Sequence, residues 1–288
     1  MGMNSIPVDI RNPGQVFACL GLLEAADLFY GPARARFNWE NVAVFDLVAE
    51  KSDDPIKDLI SFITECNVRA VSSKGTDIKD NFGMETKIIS EPVCRNPEPK
   101  SSTLPVEFYN ADGKNICVSH WASSQETDGL DNVKFWGGAA GYSAAARARD
   151  LKVAFQTLSE EEKALALEDP FEACAALSIG FRLEMRRDYT AIDAGFSPND
   201  HKTQITVMGY PLVELFAIIG LEHSRPKYIS RFKYRYAVWG DFMPPLLARP
   251  ILGGQSCNFS TRYFVMSLSQ VNKGGDRAIS FVTEENQP

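Results

Sequence analysis

Apolar residues along the 288-residue chain recur with two different periods, and the change from one to the other marks its elements. The opening stretch "SIPVDI" predicts a strand. Asn12 then caps a helix, with Pro13 at its first position, where no N–H is needed. Val16, Phe17, Leu20, Leu23 and Leu28 give that helix a broad buried face, and Gly31-Pro32 stops it. "ARFNW" and "NVAVFDLV" predict two strands, followed by a helix from about Pro55 to Ala70 with Ile56, Leu59, Ile60 and Ile63 on one side.

Residues 71–103 carry turn and breaker residues throughout and predict an irregular insertion. "LPVEFYN" and "NICVSHW" around Ala111-Asp112-Gly113-Lys114 predict a β-hairpin with Asp-Gly in the turn. A glycine-rich corner leads to helices over Ser143–Leu158 and Ser159–Leu177, the second opening on a capping box. "IGFRLEMRRD" and "KTQITVMGY" predict strands, and "PLVELFAIIGLEHS" a helix from Pro211. "SRFKYRYAVWG", "STRYFVMSLSQ" and "AISFVTEE" predict three more strands, the last two joined as a hairpin. The halves divide at residues 1–158 and 159–288, or form one continuous domain.

One word occurs twice. Phe17-Ala18-Cys19-Leu20-Gly21-Leu22 and Phe216-Ala217-Ile218-Ile219-Gly220-Leu221 share Phe-Ala-x-x-Gly-Leu. Either a strand–helix–strand unit is used twice or two small-residue helices coincide. In the first case Gly21 and Gly220 offset their helix-propensity cost by letting each helix approach a sheet.

Charge refines the picture. The total is −7, which argues against a generic nucleic-acid coat. Yet between Arg225 and Arg262 seven cations (Arg225, Lys227, Arg231, Lys233, Arg235, Arg249, Arg262) meet one acid, Asp241. Arg231, Lys233 and Arg235 alternate with Phe232, Tyr234 and Tyr236, so one strand face is basic and the other aromatic. That pattern fits a sheet tracking a phosphate backbone, and equally a solvated face over an aromatic core; three cations without an interleaved acid favour the anion site.

A second candidate is "VKFWGGAAGYSAAARARD": Gly137, Gly138 and Gly141 precede a helix, Lys134, Arg147 and Arg149 supply charge, and Trp136 and Tyr142 offer stacking surfaces. A third, Arg186, Arg187, Asp188, Tyr189 and Asp193, reads as a loop buttressed by Arg–Asp pairs. His120, His201 and His223 form no metal or catalytic motif. The six cysteines include no Cys-x-x-Cys pair, which argues against zinc; Cys19, Cys66 and Cys174 read as buried thiols of a reduced, cytoplasmic protein. No apolar run reaches membrane-spanning length, and no signal peptide is evident at the start. No cofactor is implied.

"NPGQVFACLGLLEAADLFYGPARARF", "KFWGGAAGYSAAARARD", "RRDYTAIDAGFSPNDH" and "YPLVELFAIIGLEHSRP", in that order, resemble type I-U (I-G) CRISPR-associated proteins of the Csb group. The resemblance implies an α+β fold of the ferredoxin-like, RNA-recognition type, an antiparallel sheet packed with helices. It implies a non-catalytic subunit of an antiviral-defence surveillance complex, whose partners are CRISPR RNA and other effector subunits in a hetero-oligomer. It makes Leu252-Gly253-Gly254-Gln255-Ser256, flanked by Arg249 and Arg262, a candidate for the family's RNA-touching glycine-rich loop, although it is short and has no basic residue of its own. The expected RNA contacts are Arg231, Lys233, Arg235, Arg249, Gly253 and Gly254, with Lys134, Trp136, Gly137, Gly138 and Tyr142. The competing expectations are a metal-independent guide-processing ribonuclease using one of the histidines, and a protein–protein adaptor without RNA contact.

Overall fold

The computed structural model describes residues 2–74, 83–90, 104–119, 143–177, 180–186, 207–255, 258–270 and 277–286. Within them run β1 (Met3–Pro7), α1 (Pro13–Tyr30), β2 (Ala33–Asn38), β3 (Val44–Ala49), α2 (Pro55–Glu65), β4 (Asn67–Ser73), β5 (Thr86–Ile89), β6 (Val106–Tyr109) and β7 (Asn115–Val118). Then come α3 (Ala144–Gln156), α4 (Glu160–Glu168), β8 (Ala175–Ala176), β9 (Met208–Gly209), α5 (Pro211–His223), β10 (Lys227–Ser230), β11 (Lys233–Trp239), α6 (Pro245–Leu252), β12 (Thr261–Gln270) and β13 (Arg277–Glu285). The fold is mixed α+β. Two sheets are antiparallel, ordered β1-β3-β2 and β10-β11-β12-β13. A third, β5-β4-β6-β7, is antiparallel except for the parallel pair β4–β5, and β8 and β9 form a two-stranded pair.

The local signals explain most boundaries. Asn12 Oδ1 accepts from Gly14 N at 3.1 Å and starts α1; Gly31, at φ +77°, ends it. α2 is amphipathic, burying Ile56, Leu59, Ile60 and Ile63. Ser159 and Glu162 form the expected capping box of α4. Gly113, at φ +84°, turns the β6–β7 hairpin.

α1 and α5 are of another kind, apolar all round and buried continuously over Pro13–Ala26 and Pro211–Leu221. They pack on each other at the repeated word. A Cβ on Gly21 would come to 3.0 Å from Gly220 N and closer to Phe216 O; one on Gly220 would come to 2.9 Å from Gly21 N and closer to Phe17 O. The expectation that these glycines admit a sheet is therefore corrected: each admits the other helix. Both helix N-termini meet Leu183 and Glu184, and further along His223, the last residue of α5, lies 3.7 Å from Glu24 of α1, so the helices run in the same direction. The two antiparallel sheets join nearby: Trp239 Nε1 donates to Ala35 O at 2.8 Å, and its ring meets Phe37 edge-on at 4.9 Å. One hydrophobic core contains residues of both chain halves.

Several expectations are revised. The helix from Pro55 stops at Glu65 because Cys66 is extended, and 67–73 form β4 rather than a helical end and the start of an irregular insertion. β5, also inside the expected 71–103 irregular stretch, pairs in parallel with β4; residues 75–82 and 91–103 lie outside the described residues. The helix from Ser159 ends at Glu168, before Pro170, which opens a single 3₁₀ turn. "SRFKYRYAVWG" is not one strand: the chain reverses at Arg231-Phe232, with Phe232 at φ +67°, into β10 and β11.

The "IGFRLEMRRD" strand is also corrected for residues 180–186, which form no ladder. The buried Glu214 carboxylate, in the first turn of α5, takes the backbone N–H groups of Phe181 (2.5 Å), Leu183 (2.9 Å) and Glu184 (3.2 Å). A carboxyl acceptor inside the core satisfies donors that a neighbouring strand would otherwise have to meet.

Candidate nucleic-acid interface

The basic–aromatic alternation holds over residues 233–236: Lys233 is exposed and Arg235 half-buried, while Tyr234 and Tyr236 enter the core. Strand pairing extends each face across the sheet. Lys233 lies opposite Ser267, which lies opposite Phe281; Arg235 lies opposite Val265, which lies opposite Thr283. Partners in register share a face, so the outer face of this sheet carries Lys233, Arg235, Phe281 and Thr283. Its inner face carries Tyr236, stacked on Phe264 at 5.3 Å, with its hydroxyl donating to Ile10 O.

α6 and the turn after it close over part of the outer face. Gly254, at φ +74°, lies so near Arg235 that a Cβ there would meet the guanidinium stem at 3.2 Å. Gly253 approaches the carbonyls of Arg225 and Arg249, and Ser224 Oγ donates to Arg249 O at 2.6 Å. The fold thus gathers Gly253, Gly254, Arg225, Arg235 and Arg249 into one corner, though 29 residues separate the first and last in sequence.

The absence of interleaved acids in the sequence does not leave these cations unpaired. Arg235 Nε donates to Glu285 Oε2 at 2.5 Å, and Arg262 grips Glu284 at 2.7 and 2.8 Å. Arg249 holds the buried Glu24 with two bonds of 2.7 Å. The Glu24 hydrogen bond holds Arg249 above its ordinary value, burial opposing; the Arg262 hydrogen bond likewise holds Glu284 below the usual carboxylate range. The acids come from β13 and α1, far away in sequence, so strand alternation could not reveal them. Arg231 and Lys233 keep exposed side chains, and among the described residues neither meets a carboxylate.

Lys134, Trp136, Gly137, Gly138 and Tyr142 lie outside the described residues, as do His120, His201, Arg187, Asp188, Tyr189 and Asp193. Arg147, beyond that glycine-rich corner, is buried and donates to Gly180 O at 2.8 Å. Arg186 stacks on Tyr210 at 3.7 Å, pairs with Glu184 and Glu172, and donates to Phe171 O; the expected Arg–Asp buttress of the loop that follows lies outside the described residues. His223 ends α5, 3.7 Å from Glu24; burial pushes its imidazole below the ordinary value, with Glu24 and Glu222 opposing and Arg249 assisting. Cys19 and Cys66 are buried, and burial raises the Cys66 thiol to about 11; Cys174 is only half-buried. Among the described residues no cluster of His, Cys, Asp or Glu suits a metal ion, and no helix is long and apolar enough to cross a membrane.

No family model, no curated protein and no solved structure matches the chain.

Proposed function

We propose that the chain is a non-catalytic subunit of a type I CRISPR effector complex, of the I-U/I-G Csb kind, that binds guide RNA or RNA-bearing partner subunits. The observation that carries the reading is the Gly253–Gly254 turn seated over Arg235 on the outer sheet face, with exposed Lys233 two residues along the same strand. Gly254 is buried and Gly253 half-buried, so Gly253 is the position whose missing side chain lets a sugar–phosphate backbone come close, while exposed Lys233 neutralises its charge. Of the finer fold reading, a ferredoxin-like sheet with a duplicated strand–helix–strand unit, the duplication draws support from two similar runs of elements, β1-α1-β2-β3 and β9-α5-β10-β11, packed helix to helix at the shared word. Cytoplasmic location and a hetero-oligomeric assembly belong to the same proposal.

A second reading, the protein–protein adaptor, is favoured by α6: Leu246 is 73% exposed, with Leu247 and Phe242 also at the surface. The ratio of absorbance at 260 and 280 nm of the purified chain, before and after a high-salt wash, separates the two. Salt-removable RNA is expected; protein free of RNA that also fails to bind added RNA would leave the adaptor.

A further inference from the structure

The β10–β11 turn contains a backbone outlier whose ring is half-buried against the core. Ser230 pairs with Lys233, so Arg231 and Phe232 are the two central turn residues. Phe232 has φ +67°, at the position where a turn of this hand takes glycine or asparagine. A bulky side chain there is strained. The ring nevertheless organises its surroundings. The guanidinium carbon of Arg231 lies 4.9 Å from its centroid, and that of Arg277, at the start of β13, lies 4.6 Å from it. Two like charges are gathered on one ring, with no carboxylate bound to either among the described residues. Such a pair is unfavourable by itself and is relieved by an anion.

Two neighbours define which anion. Lys233, the residue after the turn, adds a third cation, which lies on the outer face. Phe281, in the same cross-strand row, is 54% exposed on that face. Arg231 and Arg277 at the turn, with Lys233 and the exposed Phe281 ring on the outer face of the same sheet, match a single-stranded nucleic acid passing over the sheet end, whose phosphates need cations and whose unpaired bases need a stacking surface.

Resting on the RNA-binding reading above, we propose that this tip is a contact site for single-stranded RNA: Phe232 aligns Arg231 and Arg277 on phosphates, Lys233 supports them, and Phe281 stacks on a base. Phe232 is a positioning residue, and its strain is kept for the alignment it provides.

The test is fluorescence anisotropy of the full chain with a labelled single-stranded RNA of about 20 nucleotides across a salt series. R231A/R277A is expected to lower the salt slope by roughly 1.4, the value for two phosphates on a single strand. F281S is expected to weaken binding about tenfold with the slope kept. F232G, which relieves the left-handed strain, should keep the fold by circular dichroism and still bind more weakly. R34A, an exposed cation on β2, serves as the control and should bind as the wild type does. Wild-type binding with an unchanged slope in R231A/R277A overturns the tip and leaves the RNA reading standing. Absence of any salt-sensitive binding by the wild type overturns both. Wild-type affinity in F281S or F232G removes the stacking or the aligning role, respectively.

Discussion

Gly21 and Gly220 face each other where α1 and α5 pack, each with its Cα against the backbone hydrogen-bonded turn of the other helix. Replacing either by alanine gains about 1 kcal/mol of helix propensity. It also forces a methyl group to under 3 Å from a partner carbonyl that cannot move without breaking its own helix. Overpacking of this kind costs about 1–3 kcal/mol and more when backbone must shift. G21A and G220A are each expected to lower the urea midpoint. The double variant should cost less than the two single losses combined, because one separation of the helices admits both methyls. A midpoint raised by either single variant would contradict the close approach.

Glu214 holds three backbone N–H groups at the start of the 181–184 segment. Glu214→Gln keeps the shape but replaces one accepting oxygen with a donor. That places a donor against donors in a buried site, with an expected loss of about 2–3 kcal/mol in chemical denaturation. Limited proteolysis should show earlier cleavage between residues 180 and 186. Wild-type stability and cleavage would mean that the carboxylate does not hold the segment.

Arg249 and Lys233 were both expected from sequence to touch phosphates, and the structure separates them. Arg249→Ala strands the buried Glu24 carboxylate, with an expected cost of about 3–5 kcal/mol. Lys233→Ala, at an exposed position, should change stability by less than about 0.5 kcal/mol. Thermal unfolding of the two variants checks this. Equal midpoints would remove the structural role assigned to Arg249.

The pH dependence has a defined sign. His223 is lowered from 6.5 in the folded chain, so below 6.5 the unfolded state binds the extra proton and stability falls with pH until the folded value is passed. Glu284, lowered from 4.5, adds a second loss: its contribution is present above that value and disappears as pH falls through the folded one. The urea midpoint should therefore decline just below pH 6.5 and again in the carboxylate range. H223Q should flatten the first decline and leave the second. A first decline that persists in H223Q would assign it to another group.

Sequence legibility followed the range of the deciding interaction. Asn12, Pro13, Ser159, Glu162 and Gly113 act within four residues, and the elements they begin or turn lie where the sequence places them. The strand expected over "IGFRLEMRRD" failed at 180–186 because the group that claims its N–H donors is Glu214, about 30 residues away. The anion face was half legible. Alternation gave the sidedness of Lys233 through Tyr236, but not the pairing of Arg235 with Glu285 or the meeting of Arg231 with Arg277 across the Phe232 ring.

The chain by itself determined its periodicities, most of its caps and turns, its concentration of cations between Arg225 and Arg262, and the repeated Phe-Ala-x-x-Gly-Leu word. Those depend on local sterics and hydrogen bonding, which neighbouring residues carry. Only the tertiary structure decided that the repeated glycines face one another, that Glu24, Glu284 and Glu285 neutralise three of the cations, and that the Gly253–Gly254 turn covers Arg235. Each of these is a meeting of backbone or charge between distant segments. Its energy depends on a separation in space that composition and spacing do not encode.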